Sequence, residues 1–548
     1  MIDQNTKDTA HLLRRATFGM DAATIHAAAQ AGLSATTDAL LHPERTPDTM
    51  DDDGLLTRLS ALLLLPKNGG IPTQAVRMWW AHRMVASPRP LVEKMTLFWH
   101  GHFTSKDGGM AGEQLYKQNQ MFRQNALGSF RTLTLAVARD PEMMRYLNGN
   151  QNYKAHPNEN FARELMELFT CGIGHYTEDD VKAAARAFSG WNLRGGAFAF
   201  NVNQHDNDPK TFLGKTGNWN GDDIVDILVA HPATADRLCT QLWTYFAYPD
   251  PEPEVLAALV KTYYSGGYDV RAVLDRIFRS RAFYSDKARF AVIKSPAQYV
   301  IGTVKMLGLD KAVELALADI TPTNDMAATR AAQAAPTGAG QPTPALAVPA
   351  LAVPTPAPAG TPQLAAGRRI AILAGLPTAM RSMGQDLFAP PSVKGWDGGA
   401  AWINTSTLMS RISFANTISL SRVLFGGQTV RLTNYVQQNN LTPEGWVDFL
   451  ADALGPLPLT PATRQTLIEY VQGADAPTPA VRNVDFVPSP FVAPPPTAVP
   501  GTPGPYRRGM RANGRGYNRV QGQSYAGLEG RLRGVIPLIM ATPEFQVC

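Results

Sequence analysis

The sequence predicts a mostly α-helical protein: a compact multi-helix domain with one small β-hairpin, interrupted by two disordered Pro/Ala-rich insertions. Three observations carry that reading. Apolar residues recur at helical spacing in segment after segment, each bounded by recognisable start and stop residues. A single interval, residues 195–214, alternates instead in the manner of strands. In residues 321–363 and 474–525 the composition collapses to Ala, Pro, Thr and Gly, or to Pro and then Arg, with no apolar face to bury.

Taken in order, Ala10-His11-Leu12-Leu13 opens a first helix that ends at Phe18-Gly19. Residues 22–31 stop at Gly32, and residues 73–86 stop before Pro88-Arg89-Pro90. Pro90 suits the first turn of the next helix, because its missing N–H would have no intrahelical partner there, and Gly101 punctuates that helix just beyond Trp99. Residues 158–171 have the strongest helical pattern, with Gly172 placed for a left-handed cap. Thr177 and Asp180 form a capping box for the helix that follows, to Ser189. The alternation in Ala197-Phe198-Ala199-Phe200-Asn201-Val202, a polar turn, and Lys210-Thr211-Phe212-Leu213 read as one hairpin. Helices resume over residues 222–229, 232–246, 253–264, 270–278 and 295–307. Beyond the first insertion, helical structure is expected from 366 to about 424 and over 442–472. A last helix, residues 528–540, is expected to kink at Pro537 and to need cover for Ile536, Leu538 and Ile539. The organisation is therefore a helical core in two parts, 1–320 and 364–473. The insertions 321–363 and 474–525 loop out of it, and the segment 526–548 packs back on it.

The chain has 548 residues, 44% of them hydrophobic and 18% charged, with a net charge of +5. That length can bury a large core without covalent staples. So mild a charge predicts no nucleic-acid surface. Three widely spaced cysteines (Cys171, Cys239 and Cys548) without CxxC spacing make neither a disulfide framework nor a thiolate metal site. The first twenty residues lack the apolar core of an export signal, and no apolar run approaches the roughly 18 residues a transmembrane segment needs. A cytoplasmic location follows as the expectation, with export alongside a partner as the other route. GxSxG, P-loop, GxGxxG and HExxH signatures do not occur.

Chemistry is expected at three places. In Phe98-Trp99-His100-Gly101-His102-Phe103, two histidines on a continuous helix would point about 200° apart. A helix ending at Gly101 would instead bring both imidazoles to one side as metal ligands, with Glu93 on the face of His100. In the helix from Asn158, the residues Asn160, Glu164 and Glu167 fall within about 60° of one another beside the apolar stripe, next to the pair Glu159–Arg163. Two carboxylates at such a border suit a divalent cation or an acid of raised pKa. The turn His205-Asp206-Asn207-Asp208-Pro209-Lys210 offers an acid–base couple, although turn-forming Asp and Asn also bond their own backbone. A Gly/Pro/Trp-rich loop around Lys394-Gly395-Trp396 would wall a pocket.

These segments carry a resemblance. HLLRRATFG (from His11), FWHGHF, NENFARELMELFTCGIGHYTEDDV (from Asn158), ARAFSGW, HDNDPKTFLG, MGQDLFAPPSVKGW, WINTSTLMSR and the closing ATPEF together resemble the bacterial domain-of-unknown-function family 1800. The likeness extends over almost the whole chain outside the two insertions. It implies a helical fold, and a partner similar to sulfatases and alkaline phosphatases, beside which members are often encoded. It supplies no substrate and no catalytic residues.

The expected function is a metal-dependent hydrolase or modifier of a cell-surface polymer. His100, His102, Glu164 and Glu167 are the ligands of Zn, Mn or Fe. Glu164, Glu167, Arg163, His205 and Asp206 are the catalytic set, and Asn160, Lys210 and Trp396 meet substrate. The rival expectation is a non-enzymatic scaffold or partner of the sulfatase-like protein, in which the same polar groups form a buried hydrogen-bond network. A third, a metal-free site acting on polysaccharide, would leave Glu164→Gln folded but inactive.

Overall fold

A computed structural model describes residues 3–63, 70–106, 112–310, 313, 375–421, 423–425, 428–429, 431–473 and 527–548. The two expected insertions lie outside these residues. Among the described residues the fold is helical, with three short antiparallel ribbons. No described helix is long and apolar enough to cross a membrane.

The amino-terminal layer is α1 (Gln4–Ala16), α2 (Ala22–Ala31) and α3 (Leu33–Leu41). Asp3 starts α1 by accepting the Thr6 N–H at 2.9 Å, and Asp21 does the same for Thr24 in α2. Then come α4 (Asp52–Leu62), α5 (Thr73–Ala86), α6 (Pro90–His102), α7 (Gly112–Gln124), α8 (Phe130–Ala138) and α9 (Pro141–Tyr146). The segment from Asn160 is α-helical only to Glu164 (α10) and continues as a π-helical turn over Leu165–Phe169. Gly172 follows with φ +83°, the left-handed geometry expected of it. Helix α11 (Glu178–Ala187) begins in the capping box read from the sequence: Asp180 N–H meets Thr177 Oγ1 at 3.2 Å, and Thr177 N–H meets Asp180 Oδ2 at 2.8 Å.

The hairpin expectation needs correction. Residues 197–202 do not pair with 210–213. Instead β1 (Trp191–Arg194) pairs with β2 (Ala197–Phe200), and β3 (Lys210–Phe212) pairs with β4 (Lys215–Gly217). The reason is local. Gly195 and Gly196 both take positive φ, +60° and +82°, and so close a two-residue turn whose twist matches its strands. Leu213 and Gly214 do likewise at +46° and +74°.

Helices α12 (Gly221–Val229), α13 (Pro232–Phe246), α14 (Pro253–Ser265), α15 (Val270–Phe278) and α16 (Pro296–Met306) follow. After the helical residues 375–382 come α17 (Thr405–Ser419), α18 (Leu432–Gln438), α19 (Pro443–Ala453), α20 (Pro461–Gln472), α21 (Leu528–Ala541) and α22 (Pro543–Gln546). The third ribbon, Val423–Leu424 with Gln428–Thr429, falls where helix was expected to reach 424. Helix α21 packs on α17 and α20 and runs on past Pro537, with Ile536 and Ile539 buried and Leu538 at the surface.

Two cores result. One gathers Trp99, Phe130, Leu165, Trp243 and Phe278; the other gathers Trp79, Trp80, Tyr299, Trp446 and Ile536. Helix α6 serves both, Met95 and Trp99 facing the first and Leu97 the second, so every residue from Leu91 to His100 is buried. A helix buried on all sides belongs at the centre of a large protein, and α6 takes Glu93, Lys94 and His100 inside with it.

Candidate functional site

The histidines of α6 show what this double burial does to polar groups. The helix does not stop at Gly101; it runs through His102. The two imidazoles therefore stay on opposite sides, and the expected metal pair is not brought together. His100 Nε2 accepts the Phe388 N–H at 3.2 Å among the rings of Trp80, Phe388 and Trp396, whose centroids lie 5.2, 5.2 and 5.6 Å away. His102 Nε2 donates instead to the Phe169 carbonyl at 3.0 Å, between Phe98, Trp99 and Phe103. Burial pushes His100 down to about 3 and His102 down to about 4, so both are neutral at pH 7. Glu93, expected beside His100, is engaged elsewhere. Fully buried, it accepts Arg83 Nε at 2.9 Å and Arg123 Nε at 2.7 Å. Among the described residues no three His, Cys, Asp or Glu side chains are grouped to hold a metal ion, so His100, His102, Glu164 and Glu167 do not form the expected centre.

The α10 segment does hold its carboxylates together at a half-buried border. The π turn is closed from the inside: Gly172 N–H reaches the Met166 carbonyl at 2.8 Å and Thr170 Oγ1 the Leu165 carbonyl at 2.6 Å. Arg237 Nη2 donates to the Leu168 carbonyl at 3.1 Å, and His102 takes that of Phe169. These bonds satisfy carbonyls that a wider turn leaves without regular partners. With Phe161, Leu165, Met166 and Phe169 buried, Glu164 and Glu167 sit at the rim. Burial, and then the charge of Glu167, raise the Glu164 carboxyl above its ordinary value. Glu167 accepts the Tyr176 hydroxyl at 3.0 Å. Burial, and then the charge of Glu164, likewise raise Tyr146. Tyr176 and Tyr146 were not among the expected site residues. The available signal for Tyr176 was the pair Gly172 and Gly174, whose φ values of +83° and +88° turn the chain back toward Glu167.

The other expected residues have structural partners. Arg163 clamps Glu178 with two bonds, at 2.7 and 2.8 Å, and reaches Glu159 at 3.1 Å, tying α10 to the start of α11. Asn160 is exposed, its amide 3.3 Å from Asn148 Oδ1. The 205–210 loop spends its polar groups on the end of α11 and on its own carbonyls. His205 Nδ1 bonds the Ser189 carbonyl at 2.8 Å, and Asp206 accepts Arg186 Nε at 2.7 Å. Lys210 Nζ, wholly buried, donates to the carbonyls of Asp206 at 2.6 Å and Asp208 at 2.9 Å. A buried ammonium needs such acceptors, and this one has no face toward solvent. Trp396 rests against His100 at the end of α6. The loop reaches there because Gly395 (φ +89°) lies so close that a Cβ would come within 2.7 Å of the Gly101 carbonyl oxygen.

No curated protein and no solved structure matches the chain. A family model described as Protein of unknown function (DUF1800) matches residues 11–547, nearly its whole length, and the chain belongs to that family.

Proposed function

We propose that the protein is a hydrolase or other modifier of a cell-surface polymer, with Glu164 as general acid and Glu167 as the carboxylate that activates water. The observation that supports this is the unequal setting of the two carboxyls: desolvation and a neighbouring charge favour the protonated form of Glu164, while Glu167 accepts a tyrosine hydroxyl. Environments that separate two carboxyls in this way are how one site provides both an acid and a base. Glu164 gives its proton to the leaving oxygen as the C–O bond breaks. Water adds to the carbon and loses a proton to Glu167. Asn160, exposed one turn earlier, meets the polymer. This reading gives His100 and His102 no part in the chemistry and needs no Zn, Mn or Fe ion between them. A sulfatase- or alkaline-phosphatase-like protein as co-worker rests on the family resemblance.

The test is release of reducing ends from isolated cell-envelope polysaccharide by the full chain. Release should fall as pH rises past the Glu164 titration, and Glu164→Gln should abolish it with an unchanged melting temperature. No release by the wild-type chain, or equal release by Glu164→Gln, overturns the reading. A second reading, the scaffold for the sulfatase-like protein, is favoured by one specific observation: His100, His102, His205 and Lys210 all spend their bonds on the protein's own backbone. On that reading, co-purification with the sulfatase-like protein is the activity, and Glu164→Gln leaves it intact.

A further inference from the structure

One side of the Glu164–Glu167 rim is basic. Glu167 accepts the Tyr176 hydroxyl at 3.0 Å. The residue before Tyr176, His175, has its ring centroid 6.1 Å from that of His231, the N-cap residue of α13. Less than two turns along α13, Arg237 returns to the π turn and donates at 3.1 Å to the carbonyl of Leu168, the neighbour of Glu167. The chain from Leu168 to His175 and the helix from His231 to Arg237 therefore enclose one patch. Lys215 joins it from the β3–β4 ribbon, which Asp180 anchors by accepting the Leu213 N–H at 2.7 Å. Lys215 lies near enough for its charge to act on His231.

None of these four basic side chains has an ion-pair partner among the described residues. The acids at the start of α11 are engaged elsewhere: Glu178 with Arg163, Asp179 with Lys182 at 3.3 Å, and Asp180 with Thr177 and Leu213. His231 Nδ1 accepts the Ala233 N–H at 3.2 Å, so in the neutral ring the proton sits on Nε2, which is left to donate. Burial, and then the charges of His175 and Lys215, hold His231 below its ordinary value and so keep that neutral form. A nitrogen that carries a proton does not ligate a metal, and the His175–His231 pair therefore suits an acceptor oxygen. Arg237 is half-buried: Nη2 is spent on Leu168 and Nε is enclosed. Its Nη1 makes no bond among the described residues and lies against Gly172, where a Cβ would come within 3.3 Å of it. A guanidinium, an imidazole N–H and an ammonium around one patch supply donors and charge for an oxyanion. With Glu167 near enough to act on Arg237, the patch suits a single negative charge.

We propose that the polymer cut at Glu164 is acidic, and that this patch holds a singly charged oxyacid group of the chain, a uronate carboxylate or a phosphodiester, on His231 Nε2–H, Arg237 and Lys215. The proposal rests on the Glu164 reading for the bond that is cut. It adds the class of polymer that reaches that bond, and it orients the chain: the charged unit lies on the Glu167 side.

Calorimetric titration of the full chain carrying Glu164→Gln, which keeps the patch, tests it. The probes are an alginate hexamer for uronate, a glycerol phosphate hexamer for phosphodiester, maltohexaose as the neutral chain, and inorganic phosphate. One acidic hexamer should bind at about 1 mM or tighter, with maltohexaose weaker by about tenfold or more. His231→Asn keeps the helix cap and, like Lys215→Ala, should weaken binding by about tenfold while the protein melts unchanged. Arg237→Gln should abolish binding; should it melt early, the other two variants carry the test. Four results overturn the proposal: neither acidic hexamer binds, maltohexaose binds as tightly, inorganic phosphate binds as tightly (an adventitious ion only), or His231→Asn and Lys215→Ala both bind unchanged. The two readings fail separately. Binding of an acidic hexamer without release of reducing ends by the wild-type chain would overturn the Glu164 chemistry and leave this recognition. Release from neutral polysaccharide as fast as from acidic would do the reverse.

Discussion

Glu93 is the buried charge on which α5, α6 and α7 converge, and Glu93→Gln measures what that convergence is worth. The carboxylate has no exposure. It holds Arg83 at 2.9 Å and Arg123 at 2.7 and 3.0 Å. The two arginines do not depend on it equally. Arg83 also has Asp52, at 2.8 and 2.7 Å, and Asp48 at 2.5 Å. Beyond Glu93, Arg123 has, among the described residues, only the neutral amide oxygens of Gln120 and Asn119, both at 2.6 Å, and the ring of Trp79 at 5.0 Å. A glutamine keeps the shape and one acceptor but leaves the Arg123 charge buried without an anion. Breaking a buried pair from one side costs about 3–5 kcal/mol; with one hydrogen bond retained, the expected loss is about 3 kcal/mol. That is a large share of a net stability of roughly 5–15 kcal/mol. Urea unfolding of the full chain should show the loss, and adding Arg123→Met should return about half of it, since the orphaned charge goes with it. A loss below about 1 kcal/mol, or a double variant no more stable than the single one, would refute the reasoning. Acid should reproduce the effect. Burial pushes the Glu93 carboxyl up, but Arg123 and Arg83 more than offset this and hold it below its ordinary value. Its contribution is therefore present above the unfolded carboxyl range and lost as pH falls through the folded one.

The buried histidines make a second pH test. Burial pushes His82 to about 4, His100 to about 3 and His102 to about 4. The unfolded chain takes up these protons near 6.5 while the fold refuses them, so stability should fall as pH drops from about 6.5 toward 4, each of the three contributing up to about 1.4 kcal/mol per unit; a urea midpoint flat between pH 7 and 5 contradicts this. Lys210→Met removes the donor to two loop carbonyls and should cost about 1–3 kcal/mol, seen as faster hydrogen exchange in residues 205–210 and a lower melting point. Gly395→Ala adds a Cβ at 2.7 Å from the Gly101 carbonyl oxygen in a backbone with φ +89°. It should cost about 1–3 kcal/mol and free residues 393–397 to exchange, whereas exchange as in the wild type would show that the loop is not docked through that contact.

What could be read from the sequence was whatever local signals decide. Thr177 and the prolines opening α6 and α13 announce helix starts because a cap is a short-range event, whereas the apolar pattern opens the first helix at Ala10 although Asp3 caps it at Gln4. The two ribbons were half legible: Gly195-Gly196 is a hairpin turn in plain view, but the alternation just after it drew the pairing to a partner downstream. Gly101 misled for another reason. Glycine weakens a helix by only about 1 kcal/mol, and the rings of Trp99 and Phe103 packed on both sides outweigh it, so α6 continues and the histidines part. Lys210 carries no sequence signal of burial, since the carbonyls that hold it belong to a loop whose shape no periodicity encodes. The π turn was equally hidden, because one extra residue in a turn leaves the apolar stripe looking α-helical.

That turn also explains how the FWHGHF and NENFARELMELF segments meet. A π turn leaves carbonyls without regular helical partners, and it persists only where something else bonds them. His102 and Arg237 do so at Phe169 and Leu168, from the side facing the core. An imidazole held neutral by burial suits this task, since it donates one hydrogen bond without bringing a charge into the aromatic core. The outward side of the same turn presents Glu167 to Tyr176, three residues beyond Glu164. His102 is thus a positioning residue, and the carboxylates are the reacting groups of the proposed site. His102→Gln, which keeps a donor, should preserve the proposed release of reducing ends better than His102→Phe, which keeps only the ring. If the two variants lost it equally, the support would lie in the packing of the ring and not in its hydrogen bond.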